Sequence, residues 1–252
     1  MKYMGSKARL AKELVPFLQM LLNDNYAEID SYIEPFGGGM NVIDKIVFPK
    51  RKASDANKYL IALFQHLQSG GVLLEDVDRE FYNKVRASYN AQDNEYEDWL
   101  VGNVGFIASF NGRWFDGGYA KASETRNYYQ EAKRNIEHQV SALSDVEFSC
   151  KDYRDIQREG VNVIYCDPPY QETKGYATSQ GFDFDEFWQV MREWSKTDFV
   201  LISEQQAPED FVSIWEKDVL RSIKARGKSR QTEKLFVYKD SLYTSKYGLM
   251  RV

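Results

Sequence analysis

The apolar run Val161-Asn162-Val163-Ile164-Tyr165-Cys166 is followed directly by Asp167-Pro168-Pro169-Tyr170, and this stretch decides the fold of the chain. The run is rich in β-branched and aromatic residues, which is typical of a buried strand in an α/β sheet. Two prolines lack the amide donors of a central strand, so the strand is predicted to end at Asp167. Ligands bind at the carboxyl ends of such strands, which favours a functional site over an ordinary turn.

The composition indicates one α/β domain that carries a smaller insert. The chain has 252 residues, of which 43% are hydrophobic and 15% aromatic, enough to bury a sizeable core. The amino-terminal apolar stretch 14–22 is too short to cross a bilayer and has no cleavage site, so we expect a cytoplasmic protein without membrane contact. Two cysteines and two histidines indicate neither a disulfide framework nor a metal site.

A second motif, Glu34-Pro35-Phe36-Gly37-Gly38-Gly39-Met40-Asn41, follows the strand-like residues 30–33 and precedes a predicted helix at 41–47. Its glycines allow positive φ and a close approach of the backbone to a ligand, although such a loop can also merely connect two elements. Asp55 lies about 20 residues further on, where a nucleoside-binding unit places an acid that accepts the ribose hydroxyls. The alternative role of Asp55 is to cap a helix at 57–68, and the two roles are compatible.

Taken together, the order and spacing of these segments resemble the Dam-type family of S-adenosylmethionine-dependent DNA adenine-N6 methyltransferases, in its α-group motif order. The opening Lys2-Tyr3-Met4-Gly5-Ser6-Lys7 is similar to the family's amino-terminal cofactor motif. Residues 200–203 resemble the strand after the catalytic motif, and 233–238 resemble the closing hairpin strand. The resemblance implies S-adenosylmethionine as the cofactor, with contacts from Tyr3, Lys7, Glu34, Phe36, Gly37, Gly39, Asp55, Asp152 and Asp167.

The chemistry of adenine explains why Asp167, Pro168 and Tyr170 suit this reaction. The exocyclic nitrogen shares its lone pair with the ring and is a poor nucleophile. The Asp167 carboxylate and the Pro168 carbonyl would each accept one N6–H, which aligns the lone pair with the methyl donor and stabilises the developing positive charge. Tyr170 would stack on the base after it leaves the duplex. Whether Asp167 is itself the proton acceptor stays open.

The resemblance also implies a Rossmann-like methyltransferase fold with a mixed, mostly parallel sheet. We expect this catalytic, cofactor-binding domain at 1–60 and 145–252, with a helical target-recognition insert at 61–144. The aromatic, glycine-rich loop 106–121 of the insert is the predicted DNA contact. Its alternative is an aromatic corner of the core. The residues assigned to DNA in this loop are Asn111, Arg113, Trp114 and Lys121.

The net charge of −5 is unusual for a protein that binds nucleic acid, but the charge is unevenly distributed. Residues 219–239 and the amino terminus are strongly basic. Residues 227–230 are predicted to form a mobile loop in which Lys228 and Arg230 grip phosphate; a solvated basic loop is the alternative. The expected partner is double-stranded DNA, and a cognate restriction endonuclease is left open.

Two other functions remain open at this point. Pro-Pro-aromatic motifs serve planar amino groups generally, so an amino-methyltransferase acting on RNA or on a protein is one alternative. A DNA-binding relative without catalytic activity is the other. The sequence leaves open the target site and whether the gene belongs to a bacterial host, a mobile element or a phage.

Overall fold

A computed structural model of the protein describes residues 1–170, 181–223 and 227–248, without the side chains of 220–223 and 227–231. Its strands form a seven-stranded sheet with the order β3-β2-β1-β4-β5-β7-β6. The strands are β1 (Ile29–Glu34), β2 (Arg51–Asp55), β3 (Val146–Cys150), β4 (Val161–Cys166), β5 (Phe199–Glu204), β6 (Phe211–Ile223) and β7 (Gly227–Tyr238).

Parallel pairing dominates the sheet. β4 pairs in parallel with β1 and with β5, and β2 pairs in parallel with β3. β7 pairs antiparallel with β5 on one side and with β6 on the other. The predicted α/β fold with a mixed, mostly parallel sheet is confirmed.

Seven α-helices accompany the strands in the described part of the chain. A π-helical turn at Asn103–Ile107 and several short 3-10 turns complete the described elements. The helices are α1 (Ala11–Asp24), α2 (Lys58–Gln68), α3 (Arg79–Ala91), α4 (Asp98–Gly102), α5 (Tyr128–Val140), α6 (Phe184–Ser195) and α7 (Leu242–Tyr247). No helix among the described residues is both long and apolar enough to cross a membrane.

The chain divides into two compact units. Unit 1 contains residues 1–19 and 37–155, and unit 2 contains residues 20–36 and 156–252. Unit 1 therefore groups the segment 61–144 with residues 37–60, whereas the sequence places a domain boundary near 60. The assignment of 61–144 as a separate target-recognition insert stays a prediction.

In unit 2, strand β4 is buried from its second residue onwards. Val163, Ile164 and Tyr165 are at most 2% exposed. The fully buried Asp198 accepts hydrogen bonds from the backbone N–H of Asn162, at 2.9 Å, and from its side-chain amide, at 2.7 Å. This fixes the start of β4, so the position of its carboxyl end is determined by both packing and hydrogen bonding.

In unit 1, helix α2 packs its apolar face on the β2–β3 pair. The rings of Phe64 and Phe148 stack with centroids 5.6 Å apart. Asn57, not Asp55, caps this helix, because the Asn57 side chain accepts hydrogen bonds from the N–H groups of Tyr59 and Leu60. Asp55 is therefore left to interact elsewhere.

The helix predicted at 41–47 is wrong. Only a 3-10 turn, Ile43–Lys45, forms there, and the chain is extended at Ile46. The side chain of Arg51 donates hydrogen bonds to the carbonyl oxygens of Ile43, at 2.9 Å, and Ile46, at 3.0 Å. These carbonyls are satisfied from outside the segment, so no further helical turn is needed to pair them.

Candidate active site

In unit 2, acidic residues lie at the carboxyl ends of three adjacent parallel strands. Glu34 ends β1, Asp167 follows β4 directly, and Glu204 ends β5. The registers Ile33–Ile164 and Cys166–Ile202 align these three strand ends. Glu34 and Glu204 are buried and Asp167 is half-buried. Strand pairing thus gathers carboxylates at the sheet edge where ligands bind in open α/β sheets.

The pKa values of two neighbours of Asp167 show that this sheet edge favours protonated side chains. Burial, followed by the charge of Asp167, raises the pKa of Tyr165, whose hydroxyl lies 2.8 Å from that of Ser203. The same two causes raise the pKa of Cys166, with a smaller contribution from Glu34. A raised pKa keeps the Cys166 thiol in its protonated, less reactive form.

β4 ends at Cys166, one residue before the predicted end at Asp167, and Pro168 and Tyr170 are buried. The Tyr170 hydroxyl donates a hydrogen bond of 2.7 Å to the carboxylate of Glu233, which lies on β7. Burial is the main reason that the pKa of Tyr170 is raised, so the hydroxyl remains a donor. The stacking of Tyr170 on a base stays a prediction.

Sequence reasoning placed Glu233 on the closing strand but gave it no role. We name Glu34, Asp167, Pro168, Tyr170 and Glu233, which all lie in unit 2, the catalytic half of the candidate residues. A signal for Glu233 exists in the alternation of β7, where Glu233, Leu235 and Val237 share a buried face. A carboxylate that continues an apolar face requires a specific partner.

In unit 1, Asp55 at the end of β2 is held by backbone amides. Its carboxylate accepts hydrogen bonds from the N–H of Gly38, at 3.0 Å, and from the N–H of Asn57, at 2.9 Å. The N–H of Gly37 in turn donates to the carbonyl of Ser54, at 2.7 Å. The glycine loop is therefore bonded to the strand end that carries the acid.

The ring of Tyr3 lies against the same loop. A Cβ atom at Gly38, where φ is +48°, would lie 2.9 Å from the Tyr3 ring, and one at Gly39 would lie 2.7 Å from the Tyr3 Cβ atom. Glycine is thus required at both positions. We name Tyr3, residues 37–39 and Asp55, which all lie in unit 1, the cofactor half of the candidate residues.

The cofactor half fits the group that the sequence implies. Desolvation raises the pKa of Asp55, and the two N–H bonds oppose that shift only in part. A half-buried carboxylate beside a close glycine backbone provides acceptors for ribose hydroxyls, and the Tyr3 ring provides an apolar surface. These residue types suit an adenosyl group.

The other predicted cofactor residues have diverse surroundings. Lys7 is buried in a 3-10 turn, and Glu34 accepts a hydrogen bond of 2.7 Å from the hydroxyl of Tyr32. Phe36 is half-buried and meets the ring of Phe187 edge-on at 5.8 Å. Asp152 forms an ion pair of 2.7 Å with Arg154 at the partly exposed end of β3. Their contacts with a cofactor stay predictions.

The loop predicted to contact DNA contains two kinds of residue. Asn111, Arg113 and Lys121 are exposed. Trp114 is half-buried, and its ring lies 4.5 Å from that of Phe106 and 4.9 Å from that of Phe115. This packing favours the aromatic-corner interpretation for Trp114, whereas the three exposed residues remain DNA-contact candidates.

The basic segment 227–230 is not the loop that the sequence predicts. Its backbone belongs to β7, and Lys228 and Arg230 pair in register with Ser222 and Leu220 of β6. The long β6–β7 ladder supplies the hydrogen bonds that order this segment. The side chains of Lys228 and Arg230 lie outside the described part of the structure, so their contact with phosphate stays a prediction.

Among the described residues, no group of three or more histidine, cysteine or acidic side chains could hold a metal ion.

Comparison with known proteins identifies the class to which this fold and site belong. Residues 3–232 match the model of the D12 class of N6 adenine-specific DNA methyltransferases. The chain belongs to this family, and the resemblance drawn from its motifs is confirmed.

Two characterised methyltransferases are similar to the chain at low identity. The type II methyltransferase M.MjaIII of Methanocaldococcus jannaschii is 25% identical over 229 residues, which cover 75% of this chain and 76% of that enzyme. The type II methyltransferase M.FokI of Planomicrobium okeanokoites is 23% identical over 197 residues, covering 69% of this chain but only 29% of that enzyme. The protein is thus an adenine-specific DNA methyltransferase related to type II enzymes.

Proposed function

We propose that this protein transfers the methyl group of S-adenosylmethionine to N6 of an adenine flipped out of double-stranded DNA, at a specific site. The observation that carries the assignment of roles is the position of Asp167. It follows a buried parallel strand, stands beside two rigid prolines and lies in a cluster of buried acids. Family membership gives the class of reaction. The position of Asp167 supports its proposed role in orienting the amino group.

The catalytic half orients the amino group. The Asp167 carboxylate and the Pro168 carbonyl accept one N6–H each, which favours the pyramidal nitrogen whose lone pair points away from both acceptors. The negative charge at this strand edge stabilises the positive charge that develops on the nitrogen. The methylated nitrogen carries a positive charge and becomes neutral when one of its two protons is lost to solvent.

The cofactor half supplies the donor's binding site. Asp55 accepts the ribose hydroxyls, and Tyr3 and the glycine loop pack against the adenosyl group. When bound, S-adenosylmethionine supplies an electrophilic methyl group on a sulfonium. No covalent bond between protein and base is needed, because the acceptors only orient the nitrogen.

Asn111, Arg113 and Lys121 are the proposed contacts to DNA. Exposed amide and cationic side chains suit base edges and phosphates. The names of both relatives support a restriction-modification role, in which the partner would be an endonuclease of the same specificity.

Nucleoside mass spectrometry tests the proposed function. Purified protein is incubated with S-adenosylmethionine and either duplex DNA or RNA, and the products are digested and analysed. We expect N6-methyldeoxyadenosine from duplex DNA, and none from the Asp167→Ala variant. Methylated cytosine, methylation of RNA alone, or equal methylation by the variant would contradict the proposal. Sequencing the methylated positions then gives the target site.

A further inference from the structure

Glu233 is a carboxylate buried where its strand otherwise presents apolar side chains. It is 5% exposed, and its neighbours on the same face of β7, Leu235 and Val237, are fully buried. Burial of a carboxylate costs free energy unless a hydrogen bond or a charge compensates it. Packing alone therefore does not explain why this position of β7 carries a carboxylate.

The partner of Glu233 is the last residue of the catalytic turn. The Tyr170 hydroxyl donates to a Glu233 carboxylate oxygen at 2.7 Å, and the Tyr170 side chain is itself buried, with the residue 8% exposed. A hydrogen bond from a neutral donor to a carboxylate is about twice as strong as one between neutral groups. In a buried setting this bond fixes the position of the phenol oxygen and the tilt of the ring.

Strand pairing brings the two residues together. β7 pairs with β5 at Leu235 and Ser203, and β5 pairs with β4 at Ile202 and Cys166. Glu233 is two residues before Leu235 on the antiparallel strand, so it extends past the end of β5. From there it reaches Tyr170 of the turn that follows β4.

A fixed Tyr170 also fixes the two acceptors. Tyr170 is separated from Asp167 by two prolines, whose rings restrict the backbone at both positions. The four-residue turn consequently has little freedom of its own. A restraint at Tyr170 is transmitted to the Asp167 carboxylate and to the Pro168 carbonyl.

Lys217 offers a different explanation for the buried charge. It stands opposite Glu233 in the β6–β7 register, so the two side chains share a face of the ladder. If Glu233 served only to pair with this lysine, it would stabilise the hairpin and would leave methyl transfer unaffected. The two explanations predict different results for a Lys217 variant.

We infer that Glu233 is a positioning residue for adenine methylation: its carboxylate holds the Tyr170 hydroxyl and thereby sets the orientation of Asp167 and the Pro168 carbonyl toward the target amino group. The inference rests on the proposed function. It adds Glu233 of β7 to the residues that orient the lone pair of adenine N6.

The experiment is a double-mutant cycle on the rate of a single methylation turnover, measured with duplex DNA and saturating S-adenosylmethionine. The variants are Glu233→Ala, Tyr170→Phe, their combination and Glu233→Gln. A misplaced acceptor costs about 10²-fold in rate, so we expect a loss of that order for Glu233→Ala. The combined variant should lose no more than the larger single loss, because either change breaks the same bond.

Glu233→Gln keeps an acceptor oxygen, so its rate should stay within about tenfold of the wild type. The dissociation constant of S-adenosylmethionine should change little in all variants, which separates positioning from general damage. Lys217→Met and Glu216→Ala, which removes the exposed carboxylate paired with Lys234 at 3.5 Å, are the controls and should keep the wild-type rate.

Several results would overturn the inference. These are a wild-type rate in Glu233→Ala, losses that multiply in the combined variant, or a loss in Lys217→Met equal to that in Glu233→Ala. Melting temperatures show whether Glu233→Ala unfolds, and in that case the folded Glu233→Gln and Tyr170→Phe variants decide the question. A wild-type protein that produces no N6-methyladenine would instead contradict the proposed function on which the inference rests.

Discussion

The catalytic half and the cofactor half of the candidate residues differ in the kind of group that they use. In unit 2 the important groups are side-chain acids, which parallel strands bring to one sheet edge, as Glu34 and Asp167 illustrate. In unit 1 a single acid, Asp55, is held by two backbone amides beside a loop whose shape requires glycine. Charge and orientation thus dominate the first half, and backbone conformation dominates the second.

The largest effect should come from Asp167. Asp167→Ala removes one of two acceptors and the nearest negative charge, so the single-turnover methylation rate should fall by about 10²- to 10³-fold. The loss is measured by transfer of a labelled methyl group to duplex DNA. The matched control is Asp185→Ala, which changes an exposed acid of α6 and should keep the wild-type rate. An equal loss in both variants would remove the special role of Asp167.

Asp55 should govern affinity. Asp55→Ala removes a charged acceptor of the ribose hydroxyls, which is worth about 2 kcal/mol, or about 30-fold in the dissociation constant of S-adenosylmethionine. Calorimetric titration measures this change. Asp98→Ala, which removes an exposed acid of the same unit paired with Lys58, should leave the dissociation constant unchanged. Unaltered binding by Asp55→Ala would refute the ribose assignment.

The raised pKa of Asp55 predicts how that affinity depends on pH. Because burial favours the protonated acid, Asp55 takes up its proton at a higher pH than an ordinary aspartate does. The acceptor is fully charged above the raised pKa, so affinity should weaken as the pH falls through it. Titrations at a series of pH values should show this decline in the wild type and its absence in Asp55→Asn. The same decline in both would assign it to another group.

The last expected effect is on stability and concerns two glycines of the loop 106–121. Gly112 has φ +64°, and a Cβ atom there would lie 2.2 Å from the carbonyl oxygen of Lys2. Gly118 has φ +67° and nothing within 4 Å of such an atom. Gly112→Ala should therefore lower the free energy of unfolding by about 4 kcal/mol, from backbone strain and overlap, and Gly118→Ala by about 2 kcal/mol, from strain alone. Denaturant unfolding gives both values, and equal losses would show that the contact with Lys2 does not matter.

Much of the fold was predictable because it depends on local pattern. The end of β4 at Cys166 follows from the prolines, and the segments 200–203 and 233–238 lie within β5 and β7 as expected. The helix expected at 41–47 failed because Arg51, from a later strand, satisfies the carbonyls that a helix would use. The hydrogen bonds of Arg51 thus outweigh the local helix propensity of residues 41–47.

The sequence names candidate site residues, and the structure shows which of them contact one another. Asp55 and the glycine loop both lie in unit 1 and are joined by a hydrogen bond, whereas the contact of Asp55 with ribose stays a prediction. The role of Glu233 was missed because its partner Tyr170 is 63 residues away and is reached only through strand pairing. Trp114 was assigned to DNA, but its ring packs against other aromatic rings. The exposure of an aromatic residue in a glycine-rich loop cannot be predicted from its neighbours in sequence.

The division of roles between the two halves can be tested by measuring the single-turnover methylation rate against S-adenosylmethionine concentration for Asp167→Ala, Asp55→Ala and the variant that combines them. We predict that Asp167→Ala mainly lowers the plateau rate, that Asp55→Ala mainly shifts the half-saturating concentration, and that the combined variant shows both changes at about their separate magnitudes. An Asp55→Ala curve with a collapsed plateau, or an Asp167→Ala curve that reaches the wild-type plateau, would contradict the account.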